Sequence, residues 1–238
     1  MAVNLRALVP GRWRPYLDGC DALERVSGFL DAELAAGRPW HPEPARIFRA
    51  LELCDPADLA GVIVGQDPYP RAGQPTGLAF DLPDGEMSPS ARNILDELAS
   101  DLGVERPSAA DFTPWASRVL LWNSAATTTV GVAGAHARCG WHDVTAHLLA
   151  QVARRHDGLV FICWGQHAQK LVLGLLDGDG RHRAVCSNHP SPLSARRGPV
   201  PFVGSRPFSR FNELRVQLGQ PPVDWALPAA AGSPAAAR

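Results

Sequence analysis

Short apolar runs recur along the chain, and each ends in a glycine or a polar residue. The clearest are GVIVG at 61–65, VLLWN at 119–123 and LVFICWG at 159–165. A weaker run starts near Ala184 and ends at Pro190. Runs of this length, rich in β-branched and aromatic residues, are typical of strands that are buried on both faces of a parallel sheet. The pattern therefore predicts four such strands.

Segments with helical periodicity separate these runs. Residues 91–102 form one, with Ser90 as the predicted N-cap, and residues 144–155 form another. Strands that alternate with helices predict an α/β fold, here a single domain over residues 1–226 with a central, four-stranded, mostly parallel sheet flanked by helices. Residues 227–238, LPAAAGSPAAAR, are rich in small residues and predict a disordered tail.

Polar side chains follow the predicted strands directly. In an open α/β sheet, ligands bind beyond the carboxyl ends of the strands. We therefore expect a carboxylate, carboxamides and an imidazole to meet at one rim of the sheet. The residues concerned are Gln66, Asp67, Asn123, Gly165, Gln166, Asn188 and His189.

Composition narrows the class of protein. The chain has 238 residues, of which 45% are hydrophobic and 20% charged, as in an ordinary soluble domain. No apolar run approaches the roughly 20 residues of a membrane-spanning helix, and no signal peptide is apparent. The five cysteines are scattered without a CxxC pair, which favours reduced thiols over a disulfide framework. We therefore expect a cytoplasmic protein without membrane contact.

Positive charge is concentrated near the carboxyl terminus, although the net charge is only −1. Between residues 181 and 215, Glu213 is the single acid among seven arginines. The ordinary interpretation is a solvated surface, and the alternative is an arginine-rich face that binds phosphates. The arginines are Arg181, Arg183, Arg196, Arg197, Arg206, Arg210 and Arg215.

A cluster of histidines and one cysteine offers a possible metal site. His136, Cys139, His142 and His147 lie close together in the sequence. However, His142 and His147 are five residues apart on a predicted helix and so face different sides of it. Exposed or packing histidines are the better interpretation, and we expect no metal ligands.

The loop at 188–198, NHPSPLSARRG, combines stiffness with groups that suit phosphate. Its two prolines restrict the backbone, while serine hydroxyls and arginines are common partners of phosphate oxygens. Leu193 lies between them. A leucine here is ordinarily a core or incidental residue, but beside such groups it could be a wedge that enters a base stack.

Four motifs in order resemble those of the family 1 uracil-DNA glycosylases. They are GQDPYP at 65–70, GLAF at 77–80, LLWN at 120–123 and HPSPLS at 189–194, where the family has GQDPYH, GLCF, LLLN and HPSPLS. The resemblance covers roughly residues 40 to 225. It implies a three-layer sandwich and a monofunctional DNA glycosylase that flips uracil out of DNA and hydrolyses its N-glycosidic bond. It also implies that no metal or organic cofactor is needed.

The resemblance assigns a role to each site residue. Asp67 would orient the attacking water and stabilise positive charge on the sugar, and His189 would donate a hydrogen bond to the departing uracil. Phe80 would stack on the base and Asn123 would read its edge. Tyr69 would exclude the methyl group of thymine, and Gln66 would also contact the base.

DNA is the partner that the resemblance implies, bound by a monomer. Leu193 would fill the gap left by the flipped base. The residues that would hold the DNA backbone are Ser90, Ser191, Ser194, Arg196 and Arg197.

The chain departs from the family pattern at several positions. Pro70, Thr76 and Pro207 stand where histidines are usual, and Ala135 replaces a serine. Because Pro70 lies beside the expected water site, two alternatives stay open. One is a DNA-binding module with weak or no catalysis, and the other is a glycosylase with a shifted base specificity.

Overall fold

The computed structural model describes residues 2–227, so the predicted disordered tail lies outside the described residues except for Leu227. The described residues contain six strands and eight α-helices. The strands are β1 (Trp40–His41), β2 (Gly61–Gly65), β3 (Val119–Asn123), β4 (Thr128–Thr129), β5 (Val160–Trp164) and β6 (Arg183–Ser187). The helices are α1 (Leu5–Leu8), α2 (Arg14–Leu17), α3 (Ala22–Ala35), α4 (Arg49–Leu53), α5 (Pro89–Leu102), α6 (Trp141–Arg155), α7 (Gln166–Leu175) and α8 (Pro207–Gln217).

The predicted four-stranded sheet is confirmed. Its strand order is β3-β2-β5-β6, and every neighbouring pair is parallel. Strands β2, β3 and β5 are buried along their whole length, as the continuous apolar runs predicted. A second, two-stranded antiparallel sheet of β1 and β4 was not predicted, because two-residue strands carry no periodic pattern.

The predicted cap of α5 was wrong by two residues. Ser88 is the N-cap, and its Oγ accepts a hydrogen bond of 3.0 Å from the amide of Ala91. Pro89 occupies the first helical position, where its missing N–H costs nothing. Ser90 therefore lies inside the first turn, with its side chain free for another role.

Buried tryptophans fix the sheet against the helices. The indole of Trp122 on β3 donates a hydrogen bond of 2.8 Å to Oγ1 of Thr145 on α6. The indole of Trp141 donates to Oγ1 of Thr127 at 2.7 Å. Because a buried indole N–H is satisfied only in one orientation, these bonds define the position of α6 relative to the end of β3.

No helix among residues 2–227 has the length and apolar character that crossing a membrane requires.

Candidate active site

A cavity of about 200 Å³ lies beyond the carboxyl ends of β2 and β3. It brings together the two residues predicted to be catalytic and the four predicted to contact a base, together with Ser90. Its lining consists of Gly65, Gln66, Asp67, Pro68, Tyr69, Pro70, Phe80, Ser90, Asn123, Ala133 and His189. The cavity therefore lies where the rule that ligands bind beyond the strand ends predicts a site.

Gly65 allows the closest approach in the site. It pairs with Asn123 across β2 and β3, and a Cβ at this position would lie 2.2 Å from Oδ1 of Asn123. Only glycine leaves the amide of Asn123 in its place. Within residues 2–227, no group is hydrogen-bonded to this amide, so its donor and acceptor are available to a ligand in the cavity.

Asp67 is held by a loop that the sequence did not reveal. Its Oδ2 accepts a hydrogen bond of 2.6 Å from the amide of Gly134. The same loop is attached to the site a second time, because the amide of Gly131 donates to the carbonyl of Pro70 at 2.6 Å. Burial raises the pKa of Asp67, while the Gly134 amide and nearby His167 act in the opposite direction. The hydrogen bond therefore favours the ionised carboxylate.

The loop beneath Asp67 rests on a buried hydroxyl. Oγ of Ser124 lies 2.9 Å from the carbonyl of Gln66, to which it donates, and 2.6 Å from Nε2 of His167. The Gln66 carbonyl also accepts from the amide of Ala125 at 2.9 Å. The side chain of Gln66 itself is exposed. Ser124 and His167 were missed because they lie far from Gln66 in the sequence.

His189 has a defined tautomer. Its Nδ1 accepts a hydrogen bond of 3.0 Å from the amide of Ser191, which places the proton of the neutral ring on Nε2. Burial lowers the pKa of His189, so the ring is neutral near pH 7. Gly165 makes room for it, since a Cβ there would lie 3.1 Å from Cβ of His189.

Two serines of the 188–198 loop shape the loop itself. Oγ of Ser194 donates to the carbonyl of His189 at 2.9 Å, and Oγ of Ser191 accepts from the amide of Leu193 at 3.3 Å. The loop is also attached to α5, because Nδ2 of Asn93 donates to the carbonyl of Pro190 at 2.6 Å. Hydrogen bonds as well as prolines therefore restrain this loop.

Phe80 occupies a strained backbone conformation. Its φ is +66°, in the left-handed region that residues other than glycine rarely adopt. The ring centroid lies 5.3 Å from that of Trp164 and 5.7 Å from that of His189. Packing against these rings holds Phe80 at the cavity wall despite the backbone strain.

Tyr69 is fixed by the N-terminus of α5. Its hydroxyl lies 2.7 Å from Oγ of Ser88, the capping residue of that helix. Burial raises the pKa of Tyr69, so the phenol is protonated at neutral pH. The aromatic ring therefore lines the cavity in a position set by the loop after β2 and by the N-terminus of α5.

Leu193 and the two arginines that follow it lie outside the cavity. Leu193 is 77% exposed, far more than a core residue, so the core interpretation of this leucine was wrong. Arg196 and Arg197 are exposed as well. Arg215 was predicted to belong to the same positive surface, but it is 3% exposed and donates to the carbonyls of Gly158 and Ala60. It satisfies buried carbonyls instead of facing solvent.

The histidine cluster contains a packed imidazole. His136 is buried, and its two ring nitrogens are hydrogen-bonded to the hydroxyls of Thr127, at 2.9 Å, and Thr129, at 3.1 Å. Burial lowers the pKa of His136 to about 4. Both nitrogens are thus already in use, which agrees with the packing interpretation.

Comparison with known proteins gives consistent results. Residues 51–214 match the model of the Uracil DNA glycosylase superfamily. A uracil-DNA glycosylase of Bordetella pertussis is 45% identical over 224 residues, which are 92% of this chain and 88% of that protein. Uracil-DNA glycosylase 1 of Streptomyces avermitilis is 44% identical over 94% of this chain and 98% of its own length. The crystal structure of mimivirus uracil-DNA glycosylase superposes with a TM-score of 0.85 at 26% identity, covering 95% and 90% of the two chains.

Proposed function

Because the chain belongs to the uracil-DNA glycosylase superfamily, we propose that it excises uracil from DNA. It rotates the uracil nucleotide out of the helix and hydrolyses the N-glycosidic bond, which leaves an abasic site for base excision repair. The observation that carries the proposal is the convergence of Asp67, Phe80, Asn123 and His189 on one cavity of about 200 Å³.

Base selection rests on the cavity wall. The Asn123 amide donates to O4 of uracil and accepts from its N3–H, whereas cytosine presents the opposite pair of groups. Phe80 stacks on the base, and Gln66 contacts it at the cavity edge. Tyr69 lies against C5 and leaves no room for the methyl group of thymine. The fixed Tyr69 hydroxyl and the close approach of Gly65 to Asn123 support this division of roles.

Bond cleavage separates charge between sugar and base. As the bond lengthens, the sugar becomes cationic, and the carboxylate of Asp67 stabilises it and then orients the attacking water. Negative charge grows on uracil O2, to which Nε2–H of His189 donates a hydrogen bond. Such a donor must be neutral and preorganised, and the Ser191 amide on Nδ1 supports both conditions. The bond between C1′ and the base breaks first, and water supplies the new C1′ hydroxyl.

DNA contacts come from the rim around the cavity. Leu193 fills the space that the rotated base vacates, since an exposed apolar side chain on a stiff loop suits insertion between bases. Ser90 is free of the capping role and lines the cavity. We propose that it binds phosphate together with Ser191, Ser194, Arg196 and Arg197.

One chain supplies every wall of the cavity, which supports action as a monomer. Sedimentation of the protein with and without a uracil oligonucleotide would test whether it is a monomer.

All five cysteines are free thiols, which supports the proposed cytoplasmic location.

A second candidate function is a DNA-binding module with weak or no catalysis, and Pro70 is the observation that favours it. Proline at the cavity wall provides neither a side-chain donor nor a backbone N–H near the water site. Its carbonyl is engaged by Gly131 instead.

The decisive experiment uses single- and double-stranded oligonucleotides that contain one uracil, with EDTA present, followed by alkaline cleavage of abasic sites. We expect strand breaks with the wild type and at least about 100-fold fewer with Asp67→Asn, because removing a charged group that acts in the transition state has effects of this size. Binding without breaks would instead establish the module. Breaks in cytosine or hypoxanthine substrates would show a shifted specificity.

A further inference from the structure

Two free cysteines face each other in the central sheet, outside the cavity. Cys163 on β5 pairs in register with Cys186 on the neighbouring parallel strand β6. Side chains at paired positions of parallel strands project from the same face of the sheet. Strands lie about 4.8 Å apart, within the roughly 4.4–6.8 Å between Cα atoms that a disulfide spans. The register therefore places the two cysteines within the Cα separation that a disulfide spans.

The two cysteines differ in their surroundings. Cys163 is fully buried, whereas Cys186 is half-buried on the last strand of the sheet. Arg210 on α8 is exposed, and its positive charge acts on Cys186. Within residues 2–227, Arg210 forms no ion pair with an acidic side chain that would neutralise this charge. A half-buried thiol beside a free arginine is the type of cysteine that reacts as a thiolate.

The two thiols differ in acidity. The neighbouring Cys163 thiol, together with the charge of Arg210, lowers the pKa of Cys186 to about 7. The neighbouring Cys186 and burial raise the pKa of the Cys163 thiol. One sulfur is therefore a nucleophile near neutral pH, and the other lies beside it as a thiol that can resolve an oxidised partner.

We propose that Cys163 and Cys186 form a peroxide-reactive thiol pair. The Cys186 thiolate attacks one oxygen of hydrogen peroxide, so that an S–O bond forms and the O–O bond breaks. The departing hydroxide takes up a proton and leaves as water. The Cys163 sulfur then attacks the sulfenic acid, loses its proton, and displaces a second water as the disulfide forms. Two thiols are oxidised and one peroxide is reduced to two waters.

The test counts thiols in the full-length protein. The wild type is treated with hydrogen peroxide and EDTA at pH 7, free thiols are alkylated, and the unreduced protein is digested with trypsin. We expect the loss of two of the five thiols, recovery with dithiothreitol, and a disulfide between the tryptic peptides 156–170 and 184–196. Linkage of other cysteines, or survival of all five thiols while free cysteine in the same tube is oxidised, would overturn the proposal.

Variants separate the two roles. Cys163→Ala should lose one thiol and retain a sulfenic acid at Cys186 that dimedone traps. Cys186→Ala should keep its four thiols under the same treatment, whereas Cys139→Ser, which changes a half-buried cysteine outside the pair, should lose two like the wild type. Equal thiol loss in Cys186→Ala and the wild type would contradict the assignment. If a variant fails to fold, peptide mapping of the wild type still shows whether Cys163 and Cys186 form the disulfide. None of these measurements depends on glycosylase activity.

Discussion

The backbone amide of Gly134 lies 2.6 Å from Oδ2 of Asp67 and is the hydrogen-bond donor to that carboxylate. Because this bond favours the ionised form, its loss should raise the pKa of Asp67 further above the ordinary value. In the proposed mechanism activity requires the ionised carboxylate, so it falls as pH falls through this pKa. Gly134→Pro removes the N–H and, because proline fixes φ at about −65°, also forces this loop out of its φ of +70°, so the acidic limb of the profile of kcat against pH should move to higher pH.

Gly134→Ala is the control at the same position. It keeps the N–H, and no atom lies within 4 Å of the Cβ that it adds. Its φ of +70° costs about 1 kcal/mol of stability in a residue with a side chain. We expect its acidic limb to coincide with that of the wild type. Identical profiles for the proline variant and the wild type would remove the Gly134 amide from the mechanism.

Gly65→Ala should damage base recognition. The new methyl group would lie 2.2 Å from Oδ1 of Asn123, so the amide must move away from its position in the cavity. Moving a group that contacts the substrate by about 1 Å costs about 100-fold in kcat/KM. Gly174→Ala on α7 meets no atom within 4 Å and should retain full activity. Steady-state uracil release measures both, and wild-type kcat/KM in Gly65→Ala would disprove the steric argument.

Tyr69→Ala should allow thymine into the cavity, because the ring that lies against C5 is gone. Release of thymine from a thymine oligonucleotide should become detectable, while uracil release decreases. Tyr69→Phe keeps the ring and loses only the hydroxyl contact with Ser88 at 2.7 Å, so it should still reject thymine. Failure of the alanine variant to release thymine would count against the role of the ring in exclusion.

Leu193→Ala should distinguish duplex from single-stranded substrate. Burying a leucine side chain is worth about 1.5–3 kcal/mol, which corresponds to a loss of at least about 10-fold in kcat/KM on duplex DNA. A single strand has no base stack to fill, so its cleavage should change little. Val216→Ala, which shortens a 62% exposed residue on α8, is the control. Equal losses on both substrates would mean that Leu193 is not a wedge.

The sheet and the position of the candidate cavity were predictable because both depend on local sequence. Continuous apolar runs identified β2, β3 and β5, and the polar residues after them identified Asp67 and Asn123. The cap at Ser88 was missed because Ser90 matched the pattern equally well, and only the preference of proline for the first turn separates them.

Contacts between distant residues could not be predicted in this way. Gly134 is 67 residues from Asp67, and His167 is 43 residues from Ser124. No periodicity links such positions, since their meeting depends on how the loops pack after the sheet has formed. Arg215 illustrates the same limit, because a cation next to exposed arginines in sequence satisfies buried carbonyls in space.

The hydroxyl of Ser88 makes two contacts that serve different parts of the protein. It caps α5, and it also fixes the phenol of Tyr69 at the cavity wall. A substitution that removed the Ser88 hydroxyl would release the phenol of Tyr69 and at the same time weaken the N-terminus of a helix of 14 residues. Helix stability and the position of a cavity wall therefore cannot be changed independently at this residue.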